Sequence, residues 1–106
     1  MDIDAKNLNK AGIIYSLRGE HDVAMKFYIK ALSLDPTYCY SHYNLATSYY
    51  KKGMLLHAIE EFCIYLRSYP DAPDYSCVED KIKKLRHKIL EEEKNLLERS
   101  GLGVNC

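Results

Sequence analysis

The sequence predicts an all-α chain: two consecutive helix-turn-helix pairs followed by one long C-terminal helix. Three observations carry this. A shift of 34 residues lays one stretch of the chain on the next, small and apolar residues recur at intervals of three and four, and glycine and proline fall where those patterns stop. Under the shift Tyr15 meets Tyr49, Gly19 meets Gly53, Ala24 meets Ala58, Leu32 meets Leu66 and Pro36 meets Pro70. Gly12 with Ala46, Arg18 with Lys52 and Tyr28 with Phe62 are conservative pairs at the same offset. A single gap-free offset is the mark of a repeat architecture.

Each element has its own justification. The first helix, 5–18, follows from the face Leu8, Ala11, Gly12, Tyr15, and Gly19 stops it. The second, 21–33, presents Ala24, Phe27, Tyr28, Ala31 and Leu32, with Pro36 beyond its end. The third, 39–52, repeats the first through His42, Leu45, Ala46 and Tyr49, carries Lys51 and Lys52 in its last turn and stops at Gly53. The fourth, 55–68, repeats the second through Ala58, Phe62, Tyr65 and Leu66, closed by Pro70. The alanines permit close helix approach and the aromatic rings fill the space beside them.

The fifth segment breaks the pattern. Residues 71–74 read as a loop, and Ser76 with Glu79 reads as a capping box opening a helix over 76–99. Val78, Ile82, Leu85 and Ile89 form an apolar stripe that caps the open end of the second pair. At 1.5 Å per residue the helix runs roughly 35 Å, so its far half overhangs and reads either as a frayed polar extension or, through Leu90, Leu96 and Leu97, as a self-association surface. The basic run 81–88 precedes three glutamates, and Lys88 stands one turn from Glu92, which reads as a solvated mixed face. Residues 100–106 are expected to form a flexible tail with an exposed Cys106. Met1 and this glycine-bearing tail suggest a complete short chain.

The order of small residues, Tyr, Gly, Ala, aromatic and Pro within 34 residues resembles the tetratricopeptide repeat, most closely in the stretch 43–53, Tyr-Asn-Leu-Ala-Thr-Ser-Tyr-Tyr-Lys-Lys-Gly. Residues 5–38 and 39–72 correspond to two complete repeats within a single domain spanning 1–106. Leu8 and His42 replace the usual tryptophan, and Tyr65 replaces a common alanine. The resemblance implies a right-handed α-solenoid whose concave face, lined by the first helix of each pair, holds a peptide or protein partner.

Helix periodicity leaves the side opposite the packed face open. That side carries Lys6, Asn9, Lys10 and Ile13 in the first repeat, and Tyr40, Tyr43, Asn44, Thr47, Tyr50 and Lys51 in the second. Tyrosines offer stacking area and a hydroxyl at low entropic cost. An amide can bond a peptide backbone, and lysines favour acidic groups. Some family members clamp a chaperone's terminal carboxylate with Lys, Asn, Asn, Lys and Arg. Only Asn44 matches that set, with Asn9 and Ile13 standing where Lys and Asn are needed, so the clamp is not expected.

Composition narrows the classes. The 106 residues suffice for one small domain. Fifteen basic residues balance fifteen acidic ones, which argues against a nucleic-acid partner. No run approaches the ~20 apolar residues of a membrane helix, and the acidic N-terminus lacks a signal-peptide core. A soluble, cytoplasmic domain is expected. Cys39, Cys63, Cys77 and Cys106 are too widely spaced for a zinc module, and the first three read as reduced, largely buried thiols. His21, His42, His57 and His87 are scattered, and no catalytic constellation appears. The expected function is non-enzymatic: a cofactor-free adaptor or scaffold for a protein partner, with homodimerisation through the long helix as the alternative.

Overall fold

The computed structural model describes residues 3–101 of the chain. It contains five helices: α1 (Ala5–Leu17), α2 (His21–Leu34), α3 (Tyr40–Lys51), α4 (Leu55–Ser68) and α5 (Tyr75–Arg99). Each bound lies within one residue of the sequence expectation. Cys106 and the rest of the tail from residue 102 lie outside the described residues.

Local chemistry sets the helix ends. The Asp4 carboxylate accepts the Asn7 N–H at 2.8 Å and caps α1. At the other end the Gly19 N–H donates to the Ser16 carbonyl and the Glu20 N–H to the Tyr15 carbonyl. This paired closure requires a left-handed residue, and Gly19 supplies it at φ 81°. Gly53, at φ 77°, repeats the same two bonds to Tyr50 and Tyr49. The repeat thus extends to hydrogen-bond geometry. The expected capping box at Ser76 does not form. The helix begins a residue earlier, its N-cap is Asp74, and Ser76 is exposed inside the first turn. The Asp74 carboxylate accepts the Tyr65 hydroxyl at 2.9 Å and makes no cap bond to α5.

Helix pairs α1/α2 and α3/α4 fold back on short turns. Ala24, Ala31, Ala46 and Ala58 are fully buried where the helices approach. Gly12 marks the tightest approach: a methyl group there would stand 2.5 Å from the Tyr28 ring. Tyr15 stacks on Phe27 at 5.3 Å across the first pair. In the second pair His42 is a polar tie rather than an apolar face residue, its Nδ1 lying 2.6 Å from the Glu61 carboxylate.

The largest core cluster joins α4 to α5, with Val78, Ile82 and Leu85 buried against Phe62, Tyr65 and Leu66, and Ile89 half-buried beside them. Each such apolar side chain contributes about 1.5–3 kcal/mol of burial. From Leu90 onward every residue of α5 is exposed, and this overhang stretches the molecule to 64 × 30 × 20 Å. Among the described residues no helix is long and apolar enough to cross a membrane, and no group of His, Cys, Asp or Glu is gathered to hold a metal ion. Cys39 and Cys63 are half-buried, whereas Cys77 is exposed, because it lies off the α5 stripe that faces α4.

Candidate partner-binding groove

The first helix of each pair, together with α5, lines one face of the molecule. Along it lie two adjoining depressions. The first, of about 420 Å³, is walled by Asn9 and Ile13 of α1, Tyr40, Tyr43 and Asn44 of α3, and Tyr38, Tyr65 and Asp74 around them. The second, of about 390 Å³, lies between α3 and α5 and is walled by Thr47, Tyr50, Lys51, Phe62, Lys81, Lys84 and Leu85. A wider hollow of about 730 Å³ sits elsewhere on α4 and α5, around Ile59, Cys63, Arg67 and Arg86.

The first depression is a network of tyrosine edges. Tyr38 and Tyr40 meet at 5.5 Å, Tyr40 and Tyr69 at 6.2 Å, Tyr65 and Tyr69 at 6.1 Å, and Tyr43 and Tyr65 at 5.3 Å, all edge-to-face. Such contacts hold the rings in fixed orientations. Tyr38 is positioned by the turn before α3, where its N–H donates to the Asp35 carbonyl while the Asp35 carboxylate accepts the Thr37 N–H and hydroxyl. Burial first, then the bonded Asp74 carboxylate, pushes the Tyr65 hydroxyl well above its ordinary titration range. Burial first, with neighbouring Tyr40, raises Tyr38, and Tyr69 is raised chiefly by Tyr40. All three phenols stay protonated beyond the usual tyrosine value.

Tyr43 divides the two depressions. Its ring packs edge-on against Phe62 at 5.5 Å, and its oxygen accepts a hydrogen bond from Lys81 Nζ at 2.6 Å. The same ammonium stands 4.9 Å from the Tyr43 ring centre. Lys88 lies 5.9 Å above Tyr50. The basic stretch of α5 is therefore partly engaged with tyrosines of α3 and is not the fully solvated face that its charge pattern predicts, and Lys88 is drawn toward Tyr50 rather than Glu92.

Sequence-selected residues thus divide. Asn9, Ile13, Tyr40, Tyr43 and Asn44 meet in the first depression, and Thr47, Tyr50 and Lys51 in the second. Lys6 lies apart, on a shallow hollow beside Asp4, Leu34 and Tyr38, and Lys10 is an exposed side chain on α1. Asn9 differs most from expectation. It is buried, its carbonyl oxygen accepting from the Ser41 hydroxyl and the Asn44 amide, each at 2.9 Å. It holds α1 to α3. Leu90, Leu96 and Leu97 project from the overhang, 63%, 63% and 43% exposed.

Helix periodicity does not single out Tyr38, Tyr65, Asp74, Lys81 or Lys84, which also line the two depressions. Tyr65, in place of an alanine, was the available signal. Its large side chain reaches the groove and meets Asp74.

Comparison with known families bears on the helical repeat. The family model described as TPR repeat matches residues 12–53, from the middle of α1 through the glycine after α3. A search of curated proteins finds no match. TPR repeats are in general protein-interaction modules rather than enzymes. Residues 12–53 match the TPR repeat family, and the five helices of the chain are consistent with tetratricopeptide-type repeats.

Proposed function

We propose that this chain is a non-enzymatic adaptor that holds a peptide or protein segment along the face formed by α1, α3 and α5. The observation that carries this is the set of tyrosines on that face, edge-packed around Tyr40, with Tyr40 and, in the second depression, Tyr50 about half exposed at 49% and 45%. Rigid, half-wet aromatic rings lose little entropy on contact, and the Asn44 carbonyl accepts a backbone N–H. No cofactor enters the reading. Its test is affinity capture from a cell extract with the wild-type chain and with Tyr40→Ala/Tyr50→Ala. These rings are better targets than Tyr43 and Asn44, which also hold the fold. Loss of the captured partner at unchanged helical circular dichroism is the expected result. Equal capture by the double variant moves the site off this face.

A second reading is self-assembly through the α5 overhang, favoured by its exposed leucines. Sedimentation mass should then rise with concentration, and Leu96→Lys/Leu97→Lys should abolish the rise. A constant monomer mass removes this reading.

A further inference from the structure

The two depressions are chemically opposite. The first is lined by four phenols, two amides, Ile13 and the Asp74 carboxylate, with no cation among its lining residues. The second is lined by three ammonium groups, from Lys51, Lys81 and Lys84, with no carboxylate. Asp74, Lys51 and Lys84 enter no ion pair among the described residues. In a chain with no net charge, two unneutralised poles side by side on one face are a specific arrangement.

We propose that the groove is a bipolar receptor: its occupant is a peptide segment placing a basic side chain between Tyr38, Tyr40, Tyr65 and Asp74, and an acidic side chain between Lys51, Lys81 and Lys84. This deepens the adaptor reading and rests on it. Aromatic rings around a carboxylate favour a cation through their negative faces and through direct charge attraction. Burial is the main cause of the raised Tyr65 and Tyr38 hydroxyls, and at Tyr65 the bonded Asp74 carboxylate adds to it. Lys81 already occupies the Tyr43 ring from the other side, so a cation entering at Tyr43 is repelled and one at Tyr40 is not. In the second depression Tyr50, Phe62 and Leu85 form an apolar floor beneath the lysines, where a carboxylate meets less competing water.

Spacing follows from the helix. Tyr40 in the first depression and Thr47 in the second are two turns apart on α3, about 10 Å at 1.5 Å per residue. An extended peptide advances about 3.3 Å per residue, so the basic and acidic side chains lie roughly three residues apart.

Capped tetrapeptides test this: Lys-Gly-Gly-Glu, Lys-Gly-Gly-Lys and Glu-Gly-Gly-Glu, titrated into the full chain and read by amide chemical shifts. Lys-Gly-Gly-Glu should bind about fivefold more tightly than either like-charged peptide. Asp74→Asn, which keeps an acceptor for Tyr65, should cancel that advantage over Glu-Gly-Gly-Glu, weakening Lys-Gly-Gly-Glu and relieving the repulsion of the first glutamate of Glu-Gly-Gly-Glu. Lys84→Glu should weaken Glu-Gly-Gly-Glu and strengthen Lys-Gly-Gly-Lys. Equal affinity for all three peptides overturns the bipolar groove, as does the absence of shifts with any of them. If affinities are equal but Tyr40→Ala abolishes them, the groove still binds peptide and only its polarity is refuted. Binding that ignores Tyr40→Ala places the peptides elsewhere and counts against both.

Discussion

At the junction of α1 with α3, Asn9 is buried and accepts bonds from Ser41 and Asn44. Thirty-four residues later the same repeat position is Tyr43, which faces α5. There the contact is a long one: Lys81 reaches across to the tyrosine hydroxyl. The backbones respond accordingly. Cα atoms of α1 and α3 come within 8 Å of each other, whereas none of α5 does so with α3. A small buried amide draws two helices together. A large ring at the equivalent place holds them apart, and the space between becomes the lysine-rimmed depression. One repeat position therefore seals two helices together at one junction, where Asn9 also walls the tyrosine-lined depression, and leaves a lysine-rimmed gap at the next.

This comparison is broken most severely at α5. Lacking close backbone approach to α3, α5 depends on the stripe Val78, Ile82, Leu85 against α4. Val78→Asp buries an unpaired carboxylate at a fully buried position and should cost on the order of 3–5 kcal/mol. Urea unfolding followed by circular dichroism reads this as a large fall in midpoint. A midpoint near wild type would show that α5 is held by something other than this stripe.

The sealed junction breaks at Asn9. Asn9→Ala leaves the Ser41 hydroxyl and the Asn44 amide without their acceptor, at about 1–3 kcal/mol. Ser41→Ala in the same background should cost less than it does alone, because its bond is already gone. Strictly additive losses in that double-mutant cycle would mean that the amide does not couple the two helices.

Lys81→Met sharpens the other side. The variant keeps the aliphatic stem over Tyr43 and Phe62 and removes the ammonium, at about 0.5–1 kcal/mol. It should also free the Tyr43 hydroxyl, so chemical shifts should move at Tyr43 and not at Asn9. Shifts spreading into α1 would show that the two junctions are coupled.

The helices were legible because each states its period locally and ends on a residue with one physical role, as Gly19 and Gly53 do. The groove was legible only in part. The periodicity of α1 displays one packed face. A helix inside a stacked array is covered on two sides, by its own partner and by the next pair, so Asn9 falls on a buried face that a single stripe does not reveal. Lys81 was hidden in a run of charges, since nothing local distinguishes a lysine that meets an aromatic ring from one in water. The contact between Tyr65 and Asp74 depends on the path of the loop 69–74, and that same contact removed the Asp74 side chain from capping α5. Such features arise where distant segments meet, and a 34-residue offset does not encode them.

The smallest expected effect comes from the outer edge of the sealed junction, where Asp22 of α2 pairs with Lys52 after α3. Residues 34 further on are Leu56 and Arg86, so the open junction has no counterpart to this pair. The Lys52 hydrogen bond and charge hold the Asp22 carboxyl below its ordinary value of 3.8. Because the folded state then binds its proton less readily than the unfolded chain, the pair contributes stability above pH 3.8, and this contribution disappears as the pH falls through the lowered folded value. Asp22 is largely exposed, so salt screens the interaction and the gain is slight. Asp22→Asn should therefore lower the urea midpoint slightly at neutral pH and low salt. The difference should shrink at high salt and vanish in acid below the lowered value. A difference that persists in acid would assign the effect to packing at the edge of the sealed junction, and the contrast with the open one would then rest on Asn9 and Tyr43 alone.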